Sequence, residues 1–219
     1  MKFTGLKEYV YHELKKKLIS NVIKPGERIY EEVIAEELEV SRTPVREAIN
    51  QLVAEGFVEN RPRKGIFAAE ISREELAKML DVRIALESLA IKLCCERITE
   101  GQVKELRSIL KKLEDNLHKK DYIEASQWDS KIHRFIAEVA DNKKLISYIN
   151  DIQDVFAYTR GYNIKWTDKK VERSIEEHSK IVEAIAKKDE ESAIAVVKKD
   201  IESMREYLNE EIGKTEEQE

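Results

Sequence analysis

Residues Gly26–Ala69, GERIYEEVIAEELEVSRTPVREAINQLVAEGFVENRPRKGIFAA, decide the fold of the first third of the chain. Apolar residues recurring three and four positions apart predict a short helix over 30–38 and a longer helix over 41–55. The pattern then becomes that of a strand, a basic turn at 61–65 and a second strand. Another helix is predicted over 5–22, ahead of this stretch. A winged helix-turn-helix has this order of elements: helix, short helix, tight turn, helix and two-stranded wing.

The helix that begins after Ser41 carries the residue types that DNA recognition needs. Arg42 and Arg46 lie four positions apart, and the start of such a helix enters the major groove. The arginine fork matches the O6 and N7 atoms of guanine. The alternative is that both arginines are ordinary solvated surface residues. The contacts predicted at the start of this helix are Ser41, Arg42, Thr43 and Arg46. The wing turn is predicted to follow the DNA backbone or to enter the minor groove, through Arg61, Arg63, Lys64 and Gly65.

The same stretch closely resembles the GntR family of bacterial transcription regulators. Val40–Ala48, VSRTPVREA, matches the signature of that family almost letter for letter, and Leu52, Gly56 and Gly65 follow at the usual intervals. The resemblance implies a homodimer that binds near-palindromic, double-stranded operator DNA.

The composition of the whole chain limits the remaining possibilities. Its 219 residues include only 7 Gly and 3 Pro, which favours helices over a β-rich or low-complexity chain. The formal net charge is −5, so any surface for nucleic acid is small and local. No stretch approaches the roughly 20 uncharged apolar residues of a membrane span, and no signal-peptide core is present. Adjacent Cys94 and Cys95 form neither a disulfide framework nor a zinc ribbon. We expect a cytoplasmic protein with no membrane partner.

The chain changes character near Ile71, where the strand pattern gives way to helical periodicity. The prediction is a mostly α protein: a winged helix-turn-helix domain at 1–71, an all-α antiparallel six-helix bundle at 72–212 and a solvated tail at 213–219. A loop is expected near 161–173. Capping boxes predict helix starts at 72–75, 99–102 and 174–177.

Ionisable residues occupy positions on the apolar stripes of the predicted bundle. They are Arg83, Asp129, His133, His178 and Asp200. Burying a lone charged group is costly, so such residues must be paired or must bind a metal. Asp129 and His133, at i and i+4, point the same way, and bundles build metal sites from facing helices. The alternatives are hydrogen-bonded core histidines, an ion pair of Asp200 with Arg83 or a lysine, and an ion pair of Arg83 with Glu87.

The second half of the chain resembles the FCD effector domain of the FadR subfamily over residues 72–211. The matching elements are Arg83–Glu87, Asp129–His133 and Glu177–His178. In the metal-binding, VanR-like branch, one Asp and three His hold a divalent ion beside an organic-acid effector. Asp200 stands where the third His is expected. The implied ligands of zinc, nickel, manganese or iron are Asp129, His133, His178 and Asp200. The planar fork of Arg83 is predicted to anchor the effector's carboxylate.

These features predict a DNA-binding transcription regulator, expected to repress, that senses a small organic acid at a metal site and is not an enzyme. The alternative is a metal-dependent enzyme of helical-bundle type with a DNA-binding appendage, since two His and two carboxylates also occur in catalytic sites. A third possibility, a metal-free regulator that senses acyl thioesters, is disfavoured by the set Asp129, His133 and His178.

Overall fold

The computed structural model describes residues 5–163 and 166–210 and divides into two compact units after Ile71. The first unit contains α1 (Leu6–Ile19), β1 (Arg28–Ile29), α2 (Glu31–Glu37), α3 (Arg42–Ala54), β2 (Val58–Arg61) and β3 (Gly65–Ala68). The second contains α4 (Arg73–Arg97), α5 (Glu100–His118), α6 (Tyr122–Val139), α7 (Lys143–Asn163), α8 (Asp168–Ala186) and α9 (Glu190–Glu210). The predicted fold class, a winged helix-turn-helix followed by a helical bundle, is confirmed.

The wing is part of a three-stranded antiparallel sheet with the order β1-β3-β2. Sequence analysis missed β1, because two residues are too few to show the alternation of a strand. The turn between β2 and β3 places Arg63 at φ 62 and Gly65 at φ 111. A Cβ atom at Gly65 would lie 3.1 Å from the Arg28 side chain, so both backbone conformation and space favour glycine there.

The core of the first unit forms where α1 and α2 pack on α3. Val10, Leu14 and Leu18 are fully buried on α1. Leu6, on the same predicted stripe, is 59% exposed, so the stripe packs only from its second position onward. The turn into α3 passes through Glu39 at φ 53, and this left-handed residue lets α3 follow α2 closely.

The second unit is built around α4, which packs against α6, α7, α8 and α9, while α5 packs against α6 and α8. The capping boxes at Ser72 and Thr99 are confirmed, since both the side-chain and the reciprocal backbone hydrogen bonds are present. Among the described residues, no helix is both long and apolar enough to cross a bilayer. The predicted tail at 213–219 lies outside the described residues.

The third predicted capping box, at Ser174, is wrong. Helix α8 begins at Asp168, and Thr167 is its N-cap, accepting a hydrogen bond from the Lys170 amide. Buried Val171 extends the apolar face of α8 ahead of Ser174, so the Ser-x-x-Glu pattern lies inside the helix. The predicted loop at 161–173 was therefore too long. A Ser-x-x-Glu pattern therefore does not predict a helix start where the apolar stripe continues ahead of it.

Candidate nucleic-acid interface and metal centre

The start of α3 presents a polar face to solvent. Ser41 is its N-cap, although the hydroxyl makes no capping hydrogen bond, and Arg42, Thr43 and Arg46 are exposed. The opposite face buries an apolar row against the core of the unit: Val45, Ala48, Ile49 and Leu52. This amphipathic division fixes which side chains of the helix can reach a ligand.

Both exposed arginines of α3 are ion-paired with glutamates at the start of α2. Arg46 donates from Nε to Glu31 Oε1 at 3.1 Å and from Nη2 to Glu31 Oε2 at 2.9 Å. Arg42 Nη2 lies 2.7 Å from Glu32 Oε1 and 3.4 Å from Glu31 Oε2. Hydrogen bonding by Arg46 lowers the pKa of Glu31 although partial burial opposes this. Glu31 thus remains a carboxylate and holds the two arginines together.

Sequence analysis missed Glu31, and it also missed Asn50. Asn50 is exposed one helical turn beyond Arg46, on the same face of α3. Asparagine can bond bidentately to adenine. The i, i+4 spacing from Arg46 could have indicated Asn50 from the sequence, whereas the contact of Glu31 with the arginines depends on how α2 and α3 pack.

The wing residues differ in their surroundings. Arg61 donates to Glu59 at 2.6 Å and to Glu70 at 3.2 Å, and its guanidinium carbon lies 4.5 Å from the centre of the Phe67 ring. Arg63 and Lys64 are exposed at the turn. The predicted wing contacts are therefore of two kinds. Arg61 is bonded within its own unit, whereas Arg63 and Lys64 are exposed to solvent.

Polar side chains from five helices of the second unit meet in an interior cluster. Its members are Arg83 and Glu87 of α4, Asp129 and His133 of α6, Gln153 of α7, His178 of α8 and Asp200 of α9. All five ionisable residues predicted from the apolar stripes are among them. Gln153 was missed because one amide on a helix gives no periodic signal.

Three of the four predicted metal ligands converge. Asp129, His133 and His178 each offer one donor atom, and these atoms lie within 4.8 Å of one another. His178 Nε2 is 3.2 Å from Asp129 Oδ1, and His133 Nε2 is 3.9 Å from Asp129 Oδ2. Asp200 lies at the edge, 3.8 Å from His133 Nε2 but facing His178 through Nδ1 at 3.7 Å.

The other nitrogen of each imidazole is engaged by the protein. His178 Nδ1 lies 2.9 Å from the Ser174 carbonyl oxygen, an acceptor that requires the proton on Nδ1. His133 Nδ1 lies 2.5 Å from Glu87 Oε2, although the contact is not aligned as a hydrogen bond. Such partners orient histidine ligands. Nε2 of each ring is turned towards Asp129, although His133 Nε2 also lies 3.1 Å from Arg83 Nη2. His178 Nε2 is buried and faces the Asp129 carboxylate at 3.2 Å, and imidazole nitrogens beside a carboxylate are a donor set that fits a divalent cation.

The electrostatics of the cluster favour added positive charge. Burial alone would lower the pKa of His178, but Asp200 and Asp129 outweigh it and raise the pKa to about 9. Burial would likewise raise the pKa of Glu87, but Arg83 and His133 lower it to about 2. The carboxylates thus hold a proton on His178 in the position that a metal ion can take.

Arg83 is fully buried and has contacts on several sides. Its Nε donates to Glu87 Oε1 at 2.7 Å, and its Nη2 lies 3.1 Å from His133 Nε2. The ion pair with Glu87 that rivalled the effector-anchor prediction is therefore present. Arg83 also lines a small cavity of about 40 Å³, together with Asp129, Trp166, Ser174, Glu177, Asp200, Ser203, Met204 and Tyr207. The predicted anchor and two predicted ligands share one cavity wall.

Comparison with known families accounts for both units. The family model described as bacterial regulatory proteins, gntR family, matches residues 6–68, and the FCD domain model matches residues 78–203, more than half of the chain. The chain belongs to the GntR family. This GntR-family chain is a DNA-binding transcription regulator with an FCD domain, and its domains indicate a regulator rather than an enzyme.

Individual relatives of this GntR regulator support the assignment. The Nta operon transcriptional regulator of Aminobacter aminovorans is 31% identical over 177 residues, covering 81% of this chain and 82% of the relative. The gluconate operon transcriptional repressor of Bacillus subtilis is 27% identical over 190 residues, covering 85% and 77%. The structure of E. coli McbR/YncC has the same fold, with a TM-score of 0.84, 23% identity, and coverage of 96% of this chain and 100% of that one.

Proposed function

We propose that this GntR regulator is a homodimeric repressor whose operator binding is controlled by a small carboxylate effector at a metal site in the FCD domain. The observation that carries the proposal is the convergence of Asp129, His133 and His178 beside a cavity lined by Arg83. The similar gluconate operon repressor supports repression as the mode of action.

The DNA-binding half of the proposal rests on the exposed face of α3. Arg42 and Arg46 would contact base edges, with Ser41 and Thr43 beside them at the phosphates. Gly65 would let the wing approach the backbone closely. Arg61, held by Glu59 and Phe67, would support the wing turn, from which Arg63 and Lys64 reach the DNA.

The metal-binding half rests on the charge and donor types of the interior cluster. Asp129, His133 and His178 would hold the ion, with Asp200 at the fourth protein position. When bound, a divalent transition-metal ion supplies a Lewis-acidic positive charge that a carboxylate can bind. Two carboxylates make a harder donor set than one, which shifts preference towards manganese, iron or nickel relative to zinc.

Arg83 would orient the effector from the cavity wall. Its guanidinium keeps its charge in this site, because the carboxylates of Glu87, Asp129 and Asp200 outweigh the burial that would lower its pKa. Since Nε and Nη2 already contact Glu87 and His133, the effector would share a guanidinium that the protein holds in place. The site therefore suits one carboxylate group.

Metal content of untagged protein tests this proposal directly. Zinc, nickel, manganese and iron would be measured by elemental analysis in the wild-type chain and in His133→Ala and His178→Ala variants. We expect one divalent ion for each wild-type chain and a large loss in both variants. A His12→Ala variant is the matched control, because His12 belongs to the other unit. Equal metal content in all four proteins would contradict the metal site.

A further inference from the structure

A carboxylate lies behind the two arginines on which the proposed DNA contact depends. Glu31 is the first residue of α2, and its side chain is only 13% exposed, whereas that of Arg46 is 60% exposed. The arginine thus lies on the solvent side of the carboxylate. Arg42 approaches the same carboxylate at 3.4 Å, so one partly buried acidic group underlies both.

The pattern of hydrogen bonds leaves one edge of the Arg46 guanidinium available. Glu31 takes the Nε–H and one Nη2–H, which together form the side edge of the fork. The end edge, with the Nη1–H groups and the second Nη2–H, is not used in these bonds. Recognition of guanine needs two donors from one guanidinium edge, directed at O6 and N7. The end edge supplies such a pair.

We propose that Glu31 is a positioning residue for base recognition, which fixes the Arg46 fork with its end edge towards the DNA. The inference rests on the proposed role of Arg46 at a base edge. A free arginine loses rotamer freedom when it binds, and a side chain already held by Glu31 loses less. The geometry of the fork is then set before DNA binds. The binding free energy therefore improves more for the correct base, whose acceptors match the fork, than for a wrong base.

The charge of Glu31 acts in the opposite direction on DNA in general. A carboxylate near the phosphate backbone repels it, and the repulsion is the same for every sequence. Removing the charge of Glu31 therefore raises affinity for any duplex, while removing its hydrogen bonds lowers discrimination between bases. These two effects have opposite signs and can be measured separately.

Glu32 provides a matched control at the next position. It is also a glutamate in the first turn of α2, but its side chain is 62% exposed and it pairs with Arg42. Replacing Glu32 by Gln removes the same charge from the same surface without changing the bonds to Arg46. Any difference between the two Gln variants thus reports the bonds that Glu31 makes, of which the two shorter are to Arg46, and not the charge.

The experiment compares two duplexes in direct titrations of the full chain. The first is selected by the wild-type protein from a randomised duplex pool, and the second is a mixed-sequence duplex without the selected site. Glu31→Gln should lower the ratio of the two affinities by about tenfold, which is within the discrimination of one bidentate contact. The same variant should bind the mixed-sequence duplex more tightly. Glu32→Gln should raise both affinities equally and keep the ratio.

Additional variants separate the possible failures. If Glu31→Gln behaves like Glu32→Gln, Glu31 is only a repelling charge and the inference is overturned. If Arg46→Ala leaves the ratio unchanged, the proposed base contact is wrong, whatever Glu31 does. Should Glu31→Gln lose its helical circular dichroism, Glu31→Asp replaces it in the same titrations. The shorter carboxylate keeps the charge, so we expect a lower ratio with unchanged mixed-sequence binding, and an unchanged ratio overturns the inference.

Discussion

An arginine–glutamate pair occurs in each unit, and the two pairs differ mainly in their exposure to water. Arg46 and Glu31 meet at the surface of the winged domain, with the arginine largely solvated. Arg83 and Glu87 meet in the interior of the FCD domain, where both are buried. Water screens the first pair, and an exposed pair contributes little to stability. The second pair is different, because breaking it leaves an uncompensated charge in the interior.

This difference separates what each arginine can do. Arg46 can accept a new partner at small energetic expense, as DNA recognition requires. Arg83 cannot leave Glu87 without a large loss of stability, so the proposed effector would have to bind to the pair as it stands. The comparison thus predicts that mutations of the interior pair change the free energy of unfolding, whereas mutations of the surface pair change the affinity for DNA.

The largest effect is expected from Glu87→Ala. The variant removes the only carboxylate that is hydrogen-bonded to the buried Arg83 guanidinium among the described residues, which should lower the free energy of unfolding by about 3–5 kcal/mol. Urea denaturation followed by circular dichroism measures the change. Glu74→Ala, which breaks the exposed pair with Lys78, is the control and should leave the midpoint unchanged. Equal urea midpoints for Glu87→Ala and Glu74→Ala would show that a buried ion pair is no more important for stability than an exposed one.

Removal of the metal should give the next largest effect. An ion that joins α6 and α8 stabilises the folded state by mass action, by about 2.7 kcal/mol at roughly a hundredfold excess over its Kd. Thermal melting of nickel- or zinc-loaded protein with and without a chelator tests this. His133→Ala should melt at the same temperature in both conditions. Identical melting of the wild-type protein with and without chelator would mean that the cluster is a paired core.

Arg46→Ala should have a smaller effect, confined to DNA binding. Loss of a bidentate base contact should weaken binding to the selected duplex by about tenfold to a hundredfold. The melting temperature should stay the same, since the surface pair with Glu31 contributes little to folding. Fluorescence anisotropy with labelled duplex provides the measurement. A large drop in melting temperature would contradict the distinction between the two pairs.

The smallest effect is expected from Lys64→Ala in the wing turn. A phosphate contact should be lost for every sequence alike, so affinities for selected and mixed duplexes should fall by the same few-fold factor. The slope of log affinity against log salt should decrease by about 1. Lys24→Ala is a control that removes the same charge elsewhere in the unit. A change in sequence preference in Lys64→Ala would indicate a base contact instead.

Sequence periodicity predicted most of the helices but little of the pairing among their polar residues. The stripe positions of Arg83, His133 and His178 follow from period 3.6, and all three are buried. Arg83 and Glu87 lie four positions apart on α4, so that pair can be read from one helix. The contacts of His133 and His178 depend on how α4, α6, α8 and α9 pack, which no single helix reveals. The start of α8 shows the same limit, since a capping pattern at Ser174 recurs inside a helix.

Glu31 illustrates the remaining gap. In the sequence it is one of many acidic residues, and its position at the start of α2 would be explained by the helix dipole alone. Its contact with Arg46, fifteen residues later, arises only from the tight turn between α2 and α3. The roles of Asp200 and Arg83 as ligand and anchor stay predictions, because they depend on molecules that the amino-acid pattern does not specify.

The hydrogen bond from His178 to the carbonyl oxygen of Ser174 has an evolutionary consequence. A carbonyl belongs to the peptide backbone, so any substitution at position 174 that keeps α8 helical also keeps this bond. Ser174 also lines the cavity. Over evolution, substitutions at position 174 can therefore alter that wall without disturbing the orientation of the imidazole.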